Sequence, residues 1–185
     1  MPIAPTPQLK AGLFGRGGGP GPVAPGQPKE APKASGPKGL RIEHRVGVQA
    51  PAEVIWGVLS DLERWGQWNP LYPKAAGQVR IGETLNLTLA LPSQPQRTIQ
   101  PVVLDWVPNE QLHWRLSAMG GLIKTVRYLE IEQLAEASCI VSNGEIFGGL
   151  LGPQTGKQIG RSVYRGFQAM NEALKARAEA LYRPG

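Results

Sequence analysis

The sequence predicts an α+β domain of order β-α-α-β(5–6)-α, in which a curved antiparallel sheet packs around one long C-terminal helix. Three observations predict it. Residues 46–71 read VGVQAPAEVIWGVLSDLERWGQWNPL, passing from an alternating run through two helical stretches to Trp68-Asn69-Pro70. Residues 78–148 alternate apolar and polar side chains in short bursts separated by turn residues. Residues 155–182 then place apolar side chains at three- and four-residue steps, the longest such run in the chain.

Each element has a local cause. Over residues 41–49, Ile42, His44, Val46 and Val48 share one side and Glu43, Arg45, Gly47 and Gln49 the other, as in a half-buried strand. Pro51 suits the first turn of a helix, where its missing N–H costs nothing. Val54, Ile55, Val58 and Leu59 form that helix's apolar stripe. Ser60 or Asp61 caps a second short helix that Pro70 ends. A short strand is expected at 78–81 and a longer one at 84–91, with Leu85, Leu87, Leu89 and Leu91 on one face. Residues 97–107 read as one strand, with Pro101 demanding an edge or a bulge. Strands at 111–117, 123–133 and 138–148 complete an antiparallel meander. In the final helix Ile159, Val163, Phe167, Met170, Leu174 and Leu181 make the stripe that the concave side of the sheet would bury.

Residues 1–40 are of another kind. They hold nine of the 18 prolines and nine of the 24 glycines, with few large apolar side chains beyond Leu13-Phe14. Such a segment cannot bury enough apolar surface to offset the entropy of ordering, so it reads as a disordered leader before a domain at 41–183. Lys10, Arg16, Lys29, Lys33 and Lys38 against Glu30 give the leader +4 of the chain's net +6. The charge leaves peripheral contact with anionic lipid open, but the domain has no basic stripe that would mark a specific nucleic-acid binder. The lone Cys139 excludes an internal disulfide and fits a reducing, cytoplasmic setting. No apolar run is long enough to span a bilayer, and no secretory signal is evident. Neither histidine, His44 nor His113, stands at metal-ligand spacing, so no metal and no cofactor is expected. In the run Leu151–Lys157, only three residues separate Gly152 from Gly156 and Gln158 replaces the needed hydroxyl, which argues against a phosphate-binding loop.

A hairpin turning about Glu136 sets Arg127 opposite Glu145, Thr125 opposite Phe147 and Leu129 opposite Asn143. On the inner face, Arg127 and Glu145 would be a buried or half-buried charge pair beside the long helix; on the outer face, a surface ion pair worth ~0–1 kcal/mol.

The order of elements, the stretch 46–71 and the sequence GLIKTVRYLEIEQLAEASCIVSNGEIFGGLL at 121–151 resemble the SRPBCC or START-like superfamily, the polyketide cyclase/dehydrase and lipid transport proteins of helix-grip fold. The resemblance covers about residues 41–182. It implies a cavity for an apolar ligand between sheet and helix, Trp68 and Asn69 as a corner at its mouth, and an inward-facing Glu145-x-Phe147. The expected cavity residues are Trp68, Asn69, Leu87, Leu89, Trp114, Arg127, Leu129, Glu145, Phe147, Val163 and Phe167. The first functional reading is a carrier or sensor of a hydrophobic or amphipathic small molecule such as a lipid, isoprenoid or polyketide-like aromatic. The second is a cyclase or dehydratase with Glu145 as acid or base, His44 or His113 being the other titratable candidates. The third is an interaction protein resembling the superfamily's chaperone-activator branch.

Overall fold

A computed structural model of the chain describes residues 38–182; residues 1–37 of the expected disordered leader lie outside the described residues, and Leu40, its last residue, opens the first strand. Two sheets and one long helix make up the domain. The larger sheet has five antiparallel strands in the order β1-β8-β7-β6-β5. These are β1 (Leu40–Val48), β5 (Val102–Val107), β6 (Gln111–Ala118), β7 (Ile123–Ala135) and β8 (Ser138–Gly148). A three-stranded sheet holds β2 (Lys74–Ala76), β3 (Asn86–Leu89) and β4 (Arg97–Ile99). Helix α1 (Ala52–Ser60) and a 3-10 turn (Leu62–Gln67) separate β1 from β2, and α2 (Gly152–Leu181) closes the chain.

The helix-grip order is therefore present, with two corrections within the meander. Residues 97–107 do not form one strand. Pro101 has no N–H for a ladder, and the chain breaks there into β4 and β5 on different sheets. A single bridge, Thr84 to Val102, with a hydrogen bond from Leu85 N–H to the Pro101 carbonyl (2.9 Å), joins the two sheets at that corner. The strand expected at 78–81 is a loop between Gly77 and Gly82, both at positive φ, and its pairing role falls to Lys74–Ala76.

The last hairpin keeps the expected register: Arg127 faces Glu145, Leu129 faces Asn143 and Thr125 faces Phe147. One face of α2 supplies the grip. Val163, Phe167, Met170 and Leu174 are buried, each such side chain contributing about 1.5–3 kcal/mol relative to exposure. Leu181, assigned to that stripe from its spacing, is exposed; Ala178 takes the last buried position. Close approach of α2 to the sheet needs glycine at 156. A Cβ there would lie 2.9 Å from Leu40 Cδ2 and 3.0 Å from Phe147 Cγ. Polar side chains cross the same interface. Asn171 on α2 donates to the His44 carbonyl (3.0 Å) and accepts from Asn143 Nδ2 (2.8 Å), pinning the helix to β1 and β8. Among the described residues no helix is long and apolar enough to cross a membrane.

Candidate functional site

Between the N-terminal half of α2, the inner face of β6–β8 and the β3–β4 hairpin lies a cavity of about 750 Å³. Its apolar wall comes from Leu89, Leu91, Trp114, Leu116, Phe147, Ile159, Val163 and Phe167. Strand alternation explains the wall: Leu116 on β6, Phe147 on β8 and the cavity-facing side chains of β7 stand on one side of the pleat. Into this apolar space project Tyr72, Thr125, Arg127 and Glu145, while Arg97, Thr98 and Gln100 stand at the hairpin side.

Arg127 is almost fully buried. Its Nη1 donates to the Gly144 carbonyl (3.0 Å) and its Nε to Tyr72 Oη (3.3 Å). The guanidinium carbon lies 3.7 Å from the centre of the Phe167 ring and 5.9 Å from that of Trp114. A planar, weakly hydrated cation suits such stacking, which is worth about 2 kcal/mol when desolvated. Arg127 is thus satisfied by a carbonyl, a phenol and a ring. The charge pair expected with Glu145 does not close to ion-pair distance, although the two residues are direct cross-strand partners. Phe167 from α2 and Tyr72 from the loop draw the guanidinium aside.

Among the described residues no cation contacts Glu145, which stands in the cavity wall. Burial raises its carboxyl above the usual carboxylate range, while the Arg127 charge, the Thr125 hydroxyl and the more distant Arg97 pull the other way and do not cancel the rise. Burial likewise raises the Tyr72 phenol, again against the pull of Arg127, so the phenol stays neutral and keeps a proton to donate. The arrangement holds a fixed cation, a neutral phenol and a carboxyl that takes up a proton more readily than a free one. These groups can bind the polar end of an otherwise apolar molecule, or exchange a proton with it.

Of the residues expected from the sequence, Leu89, Trp114, Arg127, Glu145, Phe147, Val163 and Phe167 line this cavity. Four other expected residues do not. Leu87 and Leu129 are sealed in the core. Trp68 lies in a shallow groove with Val54, Val58, Arg177 and Leu181, beside the far end of α2. Trp65 takes the inner position instead, fully buried, with its Nε1 donating to the Leu59 carbonyl (3.0 Å) and its ring against Trp114 and Tyr72. Asn69 acts locally. Its Oδ1 accepts from the N–H groups of Leu71 (3.0 Å) and Tyr72 (3.1 Å), an Asx turn that aims Tyr72 at the cavity. Tyr72 escaped sequence reasoning because it sits in a loop without periodicity; the Asn-Pro before it was the available signal. Trp106 stacks on Trp56, with ring centres 6.0 Å apart. The histidines are elsewhere too: His44 is bound to Asn171, and His113 on the outer face lies 3.0 Å from Glu130 Oε1. Among the described residues no three His, Cys, Asp or Glu side chains come together as a metal site would require.

This architecture can be compared with known proteins. Residues 40–179 match the family model described as polyketide cyclase / dehydrase and lipid transport. A comparison with curated proteins finds no match. Among solved structures, the Zhui aromatase/cyclase from Streptomyces sp. R1128 is 18% identical, with 78% of this chain and 96% of that one covered at a TM-score of 0.64. A START superfamily protein from Mycobacterium smegmatis is 24% identical, covering 77% and 99% at a TM-score of 0.59. Norcoclaurine synthase from Thalictrum flavum, in complex with dopamine and hydroxybenzaldehyde, is 16% identical, covering 78% and 89% at a TM-score of 0.60. At these identities the structures share the fold. The family match spans almost the whole described domain, from the start of β1 to within two residues of the end of α2, and on that ground the chain belongs to the polyketide cyclase / dehydrase and lipid transport family.

Proposed function

We propose that the protein binds a hydrophobic or amphipathic small molecule in the cavity between sheet and α2, and carries or senses it. The observation behind this reading is the cavity of about 750 Å³ that the protein's own large side chains leave open. An apolar wall with a few converging polar groups is the usual makeup of a small-molecule site. With Arg127 already satisfied and Glu145 unpartnered, the polar end of the ligand is best served by a hydrogen-bond donor, such as a hydroxyl or phenol, pointed at Glu145. Native mass spectrometry of the purified protein tests the reading. A co-purifying species of fixed mass, displaced by saturable binding of an apolar dye such as Nile red, is expected. A bare protein that takes up no dye would refute it.

One observation favours a second reading, an enzyme of cyclase or dehydratase type. Glu145 combines burial, a raised carboxyl and access to the cavity, the properties of a general acid or base poised toward neutral pH. Glu145→Gln separates the two: a carrier keeps most of its binding, whereas an enzyme keeps binding and loses turnover.

A further inference from the structure

One end of the domain carries a surface that ligand binding alone does not require. The turn Met119–Gly121 joins β6 to β7, and residues 149–151 join β8 to α2. A hydrogen bond from Leu151 N–H to the Leu122 carbonyl (3.0 Å) ties these two connections together. Met119, Leu122, Leu150 and Leu151 are all exposed there, Leu150 by 80% and Met119 by 64%. Among the described residues, the other exposed large apolar side chains, Ile81, Leu134, Tyr164 and Leu181, are separated along the chain and do not form such a group. Clustered apolar exposure marks an interaction site where scattered exposure does not. Ala118 and Ile123, next to Met119 and Leu122 in the chain, line the cavity, as does Thr155, whose hydroxyl donates to the Leu151 carbonyl (2.9 Å), so the patch adjoins its mouth.

Charge identifies the partner. Residues 115–126 and 146–164, which flank the two connections, contain no Asp or Glu. Glu145 faces the cavity, and Glu43 on the outer face is held by Tyr128 and Arg41. Arg115, Lys124, Lys157 and Arg161 are exposed. A twofold contact between two copies would bring these basic side chains against their counterparts. We propose that this end docks on an anionic membrane surface, with the four apolar side chains entering the interface and the basic side chains meeting lipid phosphates. Docking does not depend on what the cavity holds; it sets the cavity mouth against the bilayer.

The test is sedimentation of the full chain with vesicles of phosphatidylcholine alone and of phosphatidylcholine mixed with phosphatidylserine. Binding to the mixed vesicles is expected, and weaker or no binding to the neutral ones. Lys124→Ala and Lys157→Ala each weaken it about fivefold. Leu150→Glu and Met119→Glu each weaken it about tenfold or more, since an inserted apolar side chain is replaced by a charge facing anionic lipid. Leu134→Glu, an exposed leucine in the β7 end of the opposite turn, leaves binding unchanged. The proposal is overturned if the chain ignores anionic vesicles, or if Leu150→Glu and Met119→Glu bind like the parent. It is overturned equally if native mass shows a dimer that Leu150→Glu splits, for the patch is then an interface between copies.

Discussion

Glu145→Gln is the sharpest probe of the cavity, because it removes a charge and little else. Burial is the largest influence on this carboxyl and raises it; Arg127, Thr125 and Arg97 offset it only in part. A carboxyl whose folded-state pKa lies above its unfolded value binds more protons when folded. Stability is then highest at low pH and falls as pH rises from the unfolded value of about 4.5 through the raised folded one. For a single proton the slope cannot exceed about 1.4 kcal/mol per pH unit. Urea denaturation of the parent and of Glu145→Gln across acid to neutral pH gives the difference directly. The variant is expected to match the parent at acid pH and to exceed it progressively toward neutrality. In a domain of this size each kcal/mol corresponds to about 2–4 °C in melting temperature. A variant that loses ground toward neutrality would mean that Arg127 and Arg97 hold Glu145 as a stabilised carboxylate, and parallel curves that folding leaves the carboxyl unshifted; on either result the account of an unpartnered cavity carboxyl would fail.

Three further outcomes follow from the same coordinates. Val163→Phe adds a ring on the cavity wall and should weaken Nile red binding tenfold or more while costing no more than about 1–3 kcal/mol in urea denaturation. Gly144→Ala places a Cβ 2.1 Å from Tyr128 Cζ and Oη on the outer face; displacing that ring should cost about 1–3 kcal/mol, and the cost should vanish in a Tyr128→Ala background, as a double-mutant cycle would read. Asn171→Leu removes the donor to the His44 carbonyl and the acceptor for Asn143, leaving buried groups unpaired, and should lower the unfolding free energy by about 1–3 kcal/mol.

What the sequence makes legible here is what period and local turns control. The β7–β8 register follows from alternation and one short turn, so the opposition of Arg127 and Glu145 could be read before any coordinates. Whether two opposed side chains touch is a different question, and distant residues decide it. Phe167, forty positions from Arg127, supplies the ring on which the guanidinium lies, and Tyr72 supplies the phenol. Pro101 announced a break in the strand but not its consequence, since a bulge, an edge and a change of sheet all satisfy a residue without an N–H. Trp65 and Trp68 lie three residues apart on one short turn, and composition cannot tell which faces the core. Packing against Trp114 and the hydrogen bond to Leu59 select Trp65. Met119, Leu122, Leu150 and Leu151 come together only when two loops distant in sequence meet at one end of the sheet.

Arg127→Met tests the division of labour inside the cavity. The guanidinium is a countercharge for whatever binds or ionises nearby. It is also the largest influence lowering the Glu145 carboxyl. Methionine retains much of the length and polarizability needed to lie between Phe167 and Trp114 and carries no charge. Removing the guanidinium takes a donor from the Gly144 carbonyl and a countercharge from beside Glu145, so a loss of about 1–3 kcal/mol is expected in urea denaturation. The electrostatic effect should not be small: the Glu145 carboxyl loses its strongest opposing pull and its titration must move further toward alkaline pH. An NMR titration of the Glu145 side-chain carbonyl in parent and variant reads this shift apart from any effect on folding. A midpoint that stays put, or moves toward acid, would show that Arg127 serves packing alone. A larger loss of stability would show instead that the stack on Phe167 and the bond to Gly144 hold the sheet to α2.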